Sequence, residues 1–177
     1  MELPNMELPV VKIKKILYAT DLSKNSQYTF AHAVNMAQAF GAGLTILHVM
    51  TGSEKLDANI SYHIGKTQWE KIKQERHKEA TKSLVGKIRN QFAIKDALEK
   101  YCEGADECLL ERSLVTDEII VERGDPVKNI LKYSEEKNCD LIVVGSRRQD
   151  SLASSTSKGV LKKAKIPVLV VQNKEDK

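Results

Sequence analysis

A short polar segment between two apolar runs carries the residues of this chain best suited to bind an anion. Gly145 follows the run LIVV, Arg147 and Arg148 come next, and the hydroxyl cluster SSTS occupies residues 154–157. A helix that begins at this cluster would present unpaired backbone N–H groups and the positive end of its dipole, which suits a phosphate. Hydroxyl and guanidinium groups add donors and positive charge. The segment predicts a phosphate site with these residues: Val144, Gly145, Arg147, Arg148, Ser154, Ser155 and Thr156.

Five short apolar runs, rich in β-branched residues, alternate along the chain with segments of helical periodicity. This alternation is typical of parallel βαβ units. The predicted strands are residues 13–19, 44–49, 117–122, 141–144 and 168–171. Gly145 is predicted to end the fourth strand. Ser23 is a predicted N-cap for the first helix, and Asp125 followed by Pro126 is a strong start signal for the helix after the third strand.

The helix that follows the hydroxyl cluster is predicted to end near Ile166, because Pro167 disfavours a helical conformation in the residue before it. Three of its side chains are predicted to turn inward, those of Val160, Leu161 and Ala164.

Four separated segments resemble the universal stress protein family, and they occur in the family's order. They are KKILYATDLSKNSQYTFAHAVNMAQAFGAGLTILHVM, GDPVKNILKYSEEKNCD, DLIVVGSRR and SSTSKGVLKKAKIPVLVV. The resemblance implies an α/β fold, with an open five-stranded parallel sheet of order 3-2-1-4-5 and helices on both faces, similar to the adenine nucleotide alpha hydrolases. It also implies a pocket between strands one and four that gathers Ala19, Asp21, Val49 and the turn after Gly145.

Asp21 is the residue of this pocket with two competing interpretations. It follows the first strand, and ligands of open α/β sheets bind at the carboxyl ends of strands. There its carboxylate would accept a hydrogen bond from an adenine amino group or a ribose hydroxyl. The alternative is that Asp21 only caps the following turn or helix, as aspartates commonly do.

The phosphate loop departs from the pattern G-x2-G-x9-G-(S/T) of the family members that bind ATP. Arg148 stands at the second glycine position, and Ser154 with Ser155 aligns with the last pair, four residues early. An arginine does not freely adopt the positive φ that glycine allows, and a serine keeps the backbone further from a phosphate. The expected ligand is therefore ATP with Mg²⁺, another adenine nucleotide or a plain anion, with no ligand as the alternative.

Two functions of different classes follow from these patterns. One is a stress-response module that senses an adenine nucleotide, and the other is a dimeric stress regulator that binds no nucleotide and acts through contacts with an unidentified protein. An enzyme is the least favoured class. Neither catalytic nor metal-binding residues are predicted, since the sequence shows no paired carboxylates, no nucleophile with a base and no metal cluster. Slow ATP hydrolysis would have only Asp21 to rely on.

Composition favours one ordinary globular domain. The chain has 177 residues, of which 41% are hydrophobic and 29% charged. The formal charge of +4 is spread among many acidic residues and does not indicate a nucleic-acid partner. No apolar run is long enough to span a membrane, and the amino terminus has no secretory pattern, so the predicted location is cytoplasmic. Residues 1–11 are predicted to be a disordered tail and residues 12–173 the domain.

The middle of the chain, about residues 51–113, is predicted to be a helical insertion. Residues 51–63 lack a pattern and are predicted to form a loop. A stripe with four-residue spacing then runs from Ile72 to Phe92, with Trp69 before it, and a second stripe runs from Ile94 to Leu109. The insertion could cover part of the sheet, extend a dimer surface or form a lid.

The cysteines and histidines are predicted to be structural. Cys102, Cys108 and Cys139 lie in apolar surroundings, as small buried hydrophobic residues do. The histidines do not fall at zinc-ligand spacings. His48 lies within a strand and is predicted to be a core histidine with a hydrogen-bond partner. Two others are predicted to be solvated, His63 and His77.

A homodimer is predicted through the last strand, which begins at Pro167 and ends at Val171. This strand is apolar and lies at an edge of the predicted sheet. An exposed apolar edge promotes aggregation unless it is covered or paired. The family resemblance implies that the strand pairs antiparallel with its two-fold mate.

Overall fold

The computed structural model describes residues 9–23, 26–51, 56–79, 95–96, 98–100, 102–103, 116–147 and 154–173. Its strands form one sheet in the order β3-β2-β1-β4-β5, and every neighbouring pair is parallel. The predicted α/β class and strand order are thus confirmed. The strands are β1 (Lys15–Thr20), β2 (Gly43–Met50), β3 (Thr116–Arg123), β4 (Leu141–Arg147) and β5 (Val168–Asn173).

Helices cover both faces of the sheet. Strand side chains alternate between the faces, so Ile16 and Tyr18 join one hydrophobic cluster and Leu17 joins the other. The first cluster includes residues of α1, α2 and α3, and the second includes residues of α4 and α5. None of the helices in the described ranges is long and apolar enough to cross a bilayer. The helices are α1 (Ser26–Phe40), α2 (Leu56–Ile64), α3 (Lys66–Glu79), α4 (Pro126–Glu136) and α5 (Ser155–Lys163).

Local capping signals determine where α4 and α5 begin. The Asp125 carboxylate accepts a hydrogen bond of 2.7 Å from the Lys128 N–H, with Pro126 at the start of α4, as predicted. Ser154 is the N-cap of α5. A β-carbon on Gly159 would lie 2.7 Å from a methyl group of Val127, so glycine lets α5 pack closely against α4.

Several boundaries differ from the prediction. Gly145 does not end β4, because β5 continues alongside and pairs with β4 as far as Arg147. The described part of α1 begins at Ser26, whose N–H donates a hydrogen bond of 2.9 Å to the Ser23 oxygen; residues 24 and 25 lie outside the described residues, so Ser23 as the N-cap stays a prediction. Helix α5 ends at Lys163, short of Ile166.

The inward face of α5 is narrower than predicted. Val160 is fully buried, whereas Leu161 is 49% exposed, since successive side chains point about 100° apart around a helix. Ala164 follows the last residue of α5 as its C-cap and packs partly buried against the cluster beneath α4 and α5.

The central segment contains a helix that the sequence did not reveal. Residues 56–64 form α2, where a loop is predicted, and α2 is anchored by the buried side chain of Ile60. Trp69 and Ile72 are buried on α3, as their spacing predicts, and so are Leu98 and Cys102 in the second predicted stripe. Residues 80–94 and 104–115, and residues 1–8 of the predicted tail, lie outside the described residues.

Cys102 and Cys139 are buried, as predicted. Burial raises the pKa of the Cys139 thiol to about 11, so it is protonated and unreactive at neutral pH. Cys108 lies outside the described residues.

Candidate functional site

A cavity of about 290 Å³ opens at the carboxyl edge of the sheet, between β1 and β4. The strand order reverses at this point, because β1 pairs with β2 on one side and with β4 on the other. The loops that follow β1 and β4 run in opposite directions, and a crevice opens between them. Open α/β sheets usually bind their ligands in this crevice. The cavity has an apolar wall, a loop that carries Asp21, and the beginning of α5.

The apolar wall comes from three central strands and one helix. Ala19, Val49 and Val144 line the cavity, as the family resemblance implied. Leu47 lines it as well, because it lies two residues before Val49 and so points to the same face of β2. Two residues of α4 complete the wall, Pro126 and Ile130.

The loop between β1 and α1 places Asp21 at the cavity, and the Asp21 side chain also caps the turn of this loop. The Asp21 Oδ1 accepts a hydrogen bond of 2.9 Å from the Ser23 N–H, and Thr20 Oγ1 accepts one of 3.0 Å from the Leu22 N–H. Asp21 is exposed and lines the cavity. Asp21 therefore caps the turn, as the second interpretation predicts, and it also lines the cavity, where its role toward a ligand stays a prediction.

Leu22 adopts a left-handed conformation within this loop. Its φ is +56°, and its side chain is only 4% exposed. A residue with a β-carbon pays roughly 1–2 kcal/mol for this conformation. Burial of the leucine side chain and the hydrogen bonds around it offset that cost, so the loop depends on its neighbours to keep its shape.

Two histidines from other elements bind the carbonyl groups of this loop. His48 of β2 places Nδ1 2.9 Å from the Thr20 oxygen, and His63 of α2 places Nε2 3.1 Å from the oxygens of both Leu22 and Ser23. A carbonyl oxygen only accepts, so each of these ring nitrogens carries the hydrogen. The prediction of a core histidine with a partner is confirmed for His48, and the prediction that His63 is solvated is wrong.

Burial lowers the pKa of both histidines below the ordinary value of 6.5. The hydrogen bonds to loop carbonyls and the charge of Asp21 act in the opposite direction at each of them but are weaker. Both rings are therefore neutral at neutral pH. In neutral His63 the second ring nitrogen, Nδ1, accepts a hydrogen bond of 3.1 Å from the Gln27 amide.

The corner between β4 and α5 is closed by a chain of hydroxyl groups. Ser146 Oγ accepts a hydrogen bond of 2.9 Å from the Ser154 N–H, and Ser154 Oγ accepts one of 3.2 Å from the Ser157 N–H. Ser157 Oγ donates to the Gly145 oxygen at 2.9 Å and lies 2.8 Å from Ser154 Oγ. The hydroxyl hydrogens of Ser154 and Ser157 are thus both used within the protein.

The predicted phosphate residues divide into three groups in the structure. Val144, Gly145, Ser154 and Thr156 line the cavity, whereas Ser155 is exposed and lies outside its lining. The backbone of Arg147 ends β4. The Arg147 side chain and the whole of Arg148 lie outside the described residues, so their role stays a prediction.

Six further polar residues, from the beginning of α1 and from the strand ends, line the cavity without having been predicted as site residues. Ser23, Ser26 and Thr29 recur every three residues, a spacing that puts them on one side of the chain as it enters α1. Thr20, Thr51 and Ser146 lie at the carboxyl ends of their strands, the position that predicted Asp21, so the same rule could have found them.

No group of three or more histidine, cysteine, aspartate or glutamate side chains is arranged to hold a metal within the described ranges. Asp21 is the only carboxylate that lines the cavity in that part of the chain. Hydroxyl groups and apolar side chains make up the rest, a combination suited to bind a ligand by hydrogen bonds and shape.

Comparison with known proteins identifies relatives along nearly the whole chain. The model of the universal stress protein family matches residues 12–172. Universal stress protein MJ0577 of Methanocaldococcus jannaschii is 29% identical over 170 residues, which cover 93% of this chain and 98% of that protein. Universal stress protein YxiE of Bacillus subtilis is 31% identical over 162 residues, covering 89% of this chain and 98% of that protein.

Solved structures share the fold. The structure of MJ0577 has a TM-score of 0.58 at 24% identity and covers 94% of this chain and all of that one. A universal stress protein in complex with cAMP has a TM-score of 0.54 at 18% identity, over 91% of this chain and 98% of that one. At these identities the structures establish the fold alone. The family model and the aligned relatives establish the family, and this chain belongs to the universal stress proteins.

Proposed function

We propose that this chain is a stress-response module that binds an adenine nucleotide, or a related anion, in the cavity between β1 and β4. The observation that carries the proposal is the cavity itself. It lies where the strand order reverses, and it combines an apolar slot, one carboxylate and the beginning of a helix. The solved complex of another universal stress protein with cAMP supports an adenine nucleotide as the class of ligand.

The apolar side of the cavity fits the nucleoside. Ala19, Val49 and Val144 offer a flat wall for a base, and Asp21 lies where its carboxylate can accept a hydrogen bond from an amino or hydroxyl group. Thr20 and Thr51 add hydroxyl groups beside the carboxylate. A purine nucleoside has this division between an apolar face and polar edges.

The α5 side of the cavity fits a phosphate. Gly145 and Thr156 line it beside the amino end of α5, whose dipole favours an anion. In this proposal Arg147 and Arg148 add positive charge. Magnesium would be held mainly by phosphate oxygens, with Asp21 as the one carboxylate of the described lining, and hydrolysis of ATP would be slow at most.

A second candidate function is a dimeric regulator that binds no nucleotide. The observation in its favour is the closed chain of hydroxyl groups at the phosphate corner. Ser157 Oγ donates to the Gly145 oxygen and Ser154 Oγ donates to Ser157 Oγ, so neither hydroxyl hydrogen is available to a phosphate unless it gives up its hydrogen bond within the protein. On this account the protein acts through a protein partner, and the cavity has no adenylate to hold.

The proposed assembly is a homodimer through β5. Both β3 and β5 are edge strands. Edge strand β3 carries a charged residue at half of its positions, in the sequence TDEIIVER, whereas β5 has the uncharged sequence VLVVQN. Charged side chains protect an edge from further pairing, and β5 lacks that protection. Pairing of residues 167–171 with their two-fold mates would cover it.

The test is to identify the small molecule released from freshly purified, denatured protein by mass spectrometry, and to measure melting temperatures with ATP and Mg²⁺, AMP and cAMP. A ligand at a hundred times its dissociation constant stabilises a domain of this size by about 5–10 °C. A shift of that size with any adenine nucleotide supports the first proposal. An unchanged melting temperature with all of them, in a protein that remains dimeric, rejects it and supports the second.

A further inference from the structure

We propose that His63 is a positioning residue of the cavity, and that helix α2 controls the cavity through it. His63 holds the loop that presents Asp21, so a displacement of α2 would change how Asp21 meets a ligand. The proposal rests on the proposed binding of an adenine nucleotide in that cavity. It adds an element, α2, that contributes no residue to the cavity lining.

One peptide group of the loop is bound by both His63 and Asp21. The carbonyl of Leu22 and the N–H of Ser23 belong to the same planar unit. His63 Nε2–H donates to the oxygen of this unit at 3.1 Å, and Asp21 Oδ1 accepts from its N–H at 2.9 Å. The peptide plane therefore connects the two side chains, and it cannot rotate without weakening both hydrogen bonds.

The loop needs this external support because its conformation is unfavourable by itself. Leu22 has a φ of +56°, in a region that a leucine rarely occupies. His63 Nε2 also lies 3.1 Å from the Ser23 oxygen, so this one nitrogen binds the carbonyl groups of two successive residues, Leu22 and Ser23. Removal of the imidazole would allow the loop to relax toward more common backbone angles.

Helix α2 is itself fixed to the body of the domain. Ile60 is 2% exposed in the hydrophobic cluster, and Asp57 forms an ion pair of 2.9 Å with Lys73 of α3. The Gln27 amide, on α1, donates to His63 Nδ1 at 3.1 Å. His63 thus connects α2, the loop and the beginning of α1. A movement of α2 would therefore shift the Leu22–Ser23 peptide group and, with it, the Asp21 carboxylate.

Substitutions can separate the donor at Nε2 from the bulk of the ring. A glutamine at position 63 places its amide nitrogen near the position of Nε2 and can donate to the same carbonyls. His63→Leu keeps a similar volume without a donor, and His63→Asn ends at about the position of Nδ1 and does not reach the carbonyls. Ser61→Ala is the matched control on α2, because the Ser61 hydroxyl donates to the Ala58 oxygen within the helix, and its removal leaves the ion pair to α3 and the His63 contacts in place.

The first measurement needs no ligand. Hydrogen exchange of the Leu22 and Ser23 amides in the full chain reports loop opening, because both N–H groups are bonded within the loop. We expect exchange about fivefold faster in His63→Leu and in His63→Asn, the effect of one lost hydrogen bond, and wild-type exchange in His63→Gln and Ser61→Ala. Wild-type protection in whichever of His63→Leu and His63→Asn folds would overturn the proposal.

The second measurement is the affinity for AMP and for ATP by titration calorimetry. We expect affinity at least about fivefold weaker in His63→Leu and restored in His63→Gln. Faster exchange with unchanged affinity would overturn control of the cavity by α2. A wild-type protein that binds neither nucleotide would overturn the proposed function instead, and the exchange data alone would still decide whether His63 holds the loop.

Discussion

His63 and Asp21 hold opposite ends of the same peptide group, with His63 Nε2 3.1 Å from the Leu22 oxygen and Asp21 Oδ1 2.9 Å from the Ser23 nitrogen. The two residues are 42 positions apart in the sequence and lie on different elements. Their link makes the position of a surface carboxylate depend on a helix that does not touch the cavity. Asp21 is therefore best tested with variants that distinguish its charge from its role in the turn.

Asp21→Ala should abolish the rise in melting temperature caused by an adenine nucleotide, because the carboxylate proposed to accept a hydrogen bond from the nucleoside is lost. Asp21→Asn keeps an oxygen that can accept from the Ser23 N–H, so the ligand-free melting temperature should change little. That single amide oxygen is then occupied, and most of the nucleotide effect should be lost. An undiminished thermal shift in Asp21→Ala would remove this residue from the site.

Ser154→Ala should destabilise the domain by about 1–2 kcal/mol, since it removes the N-cap of α5 and breaks the hydroxyl chain to Ser157. Urea denaturation measures this change. Ser155→Ala is the matched control, because Ser155 is the exposed first residue of α5 and does not cap it. Equal losses of stability in the two variants would contradict the assigned N-cap.

Stability should fall on mild acidification because of the two histidines. Burial lowers their folded-state pKa below the ordinary 6.5, so the unfolded chain binds protons that the native state does not. The contribution of the neutral histidines to the free energy of unfolding is fully present above pH 6.5, and it is lost as the pH falls below that value because the unfolded chain then gains protons. The charge of Asp21, the nearby group that favours protonation, reduces the effect at both rings without reversing it.

Urea denaturation at pH 7.5 and at pH 5.5 measures this dependence. His48→Asn provides the comparison, because an asparagine amide can donate to the Thr20 oxygen as Nδ1 does and does not titrate. The variant should lose less stability than the wild type between the two pH values. A variant with the same or a steeper dependence would contradict the assignment of a buried neutral His48.

The wild-type protein should be a dimer by light scattering at micromolar concentration. Val170→Lys should favour the monomer, because it places two like charges near each other at the proposed β5 interface. Gln172→Lys, beyond residues 167–171, is the control and should leave the dimer intact. A monomeric wild type would exclude pairing through β5, and dissociation in the control alone would place the interface elsewhere.

The fold could be predicted from the sequence because its signals are local and repeated. Buried strands of a parallel sheet are apolar on both faces, and Asp125 with Pro126 marks a helix start whatever surrounds it. Local signals do not predict the order of the strands in the sheet, and the order was inferred only from the family resemblance. Segments such as α2 carry weak local signals, and α2 is helical because Ile60 packs into the core and Asp57 pairs with α3.

The sequence by itself determined which apolar runs form the strands and that Asp21 follows the first of them, because a buried strand is read from its apolar run. It did not determine the end of β4, which continues past Gly145 to Arg147 because β5 pairs with it there. Only the tertiary structure decided how the residues that follow the strands are used. In the folded chain the Ser154 hydroxyl caps α5, the Ser157 hydroxyl donates to the Gly145 oxygen, and His63 donates to the peptide group that Asp21 also binds. The physical reason is that a hydrogen bond needs two groups at the right distance and angle, and distant residues acquire that geometry only when the chain has folded.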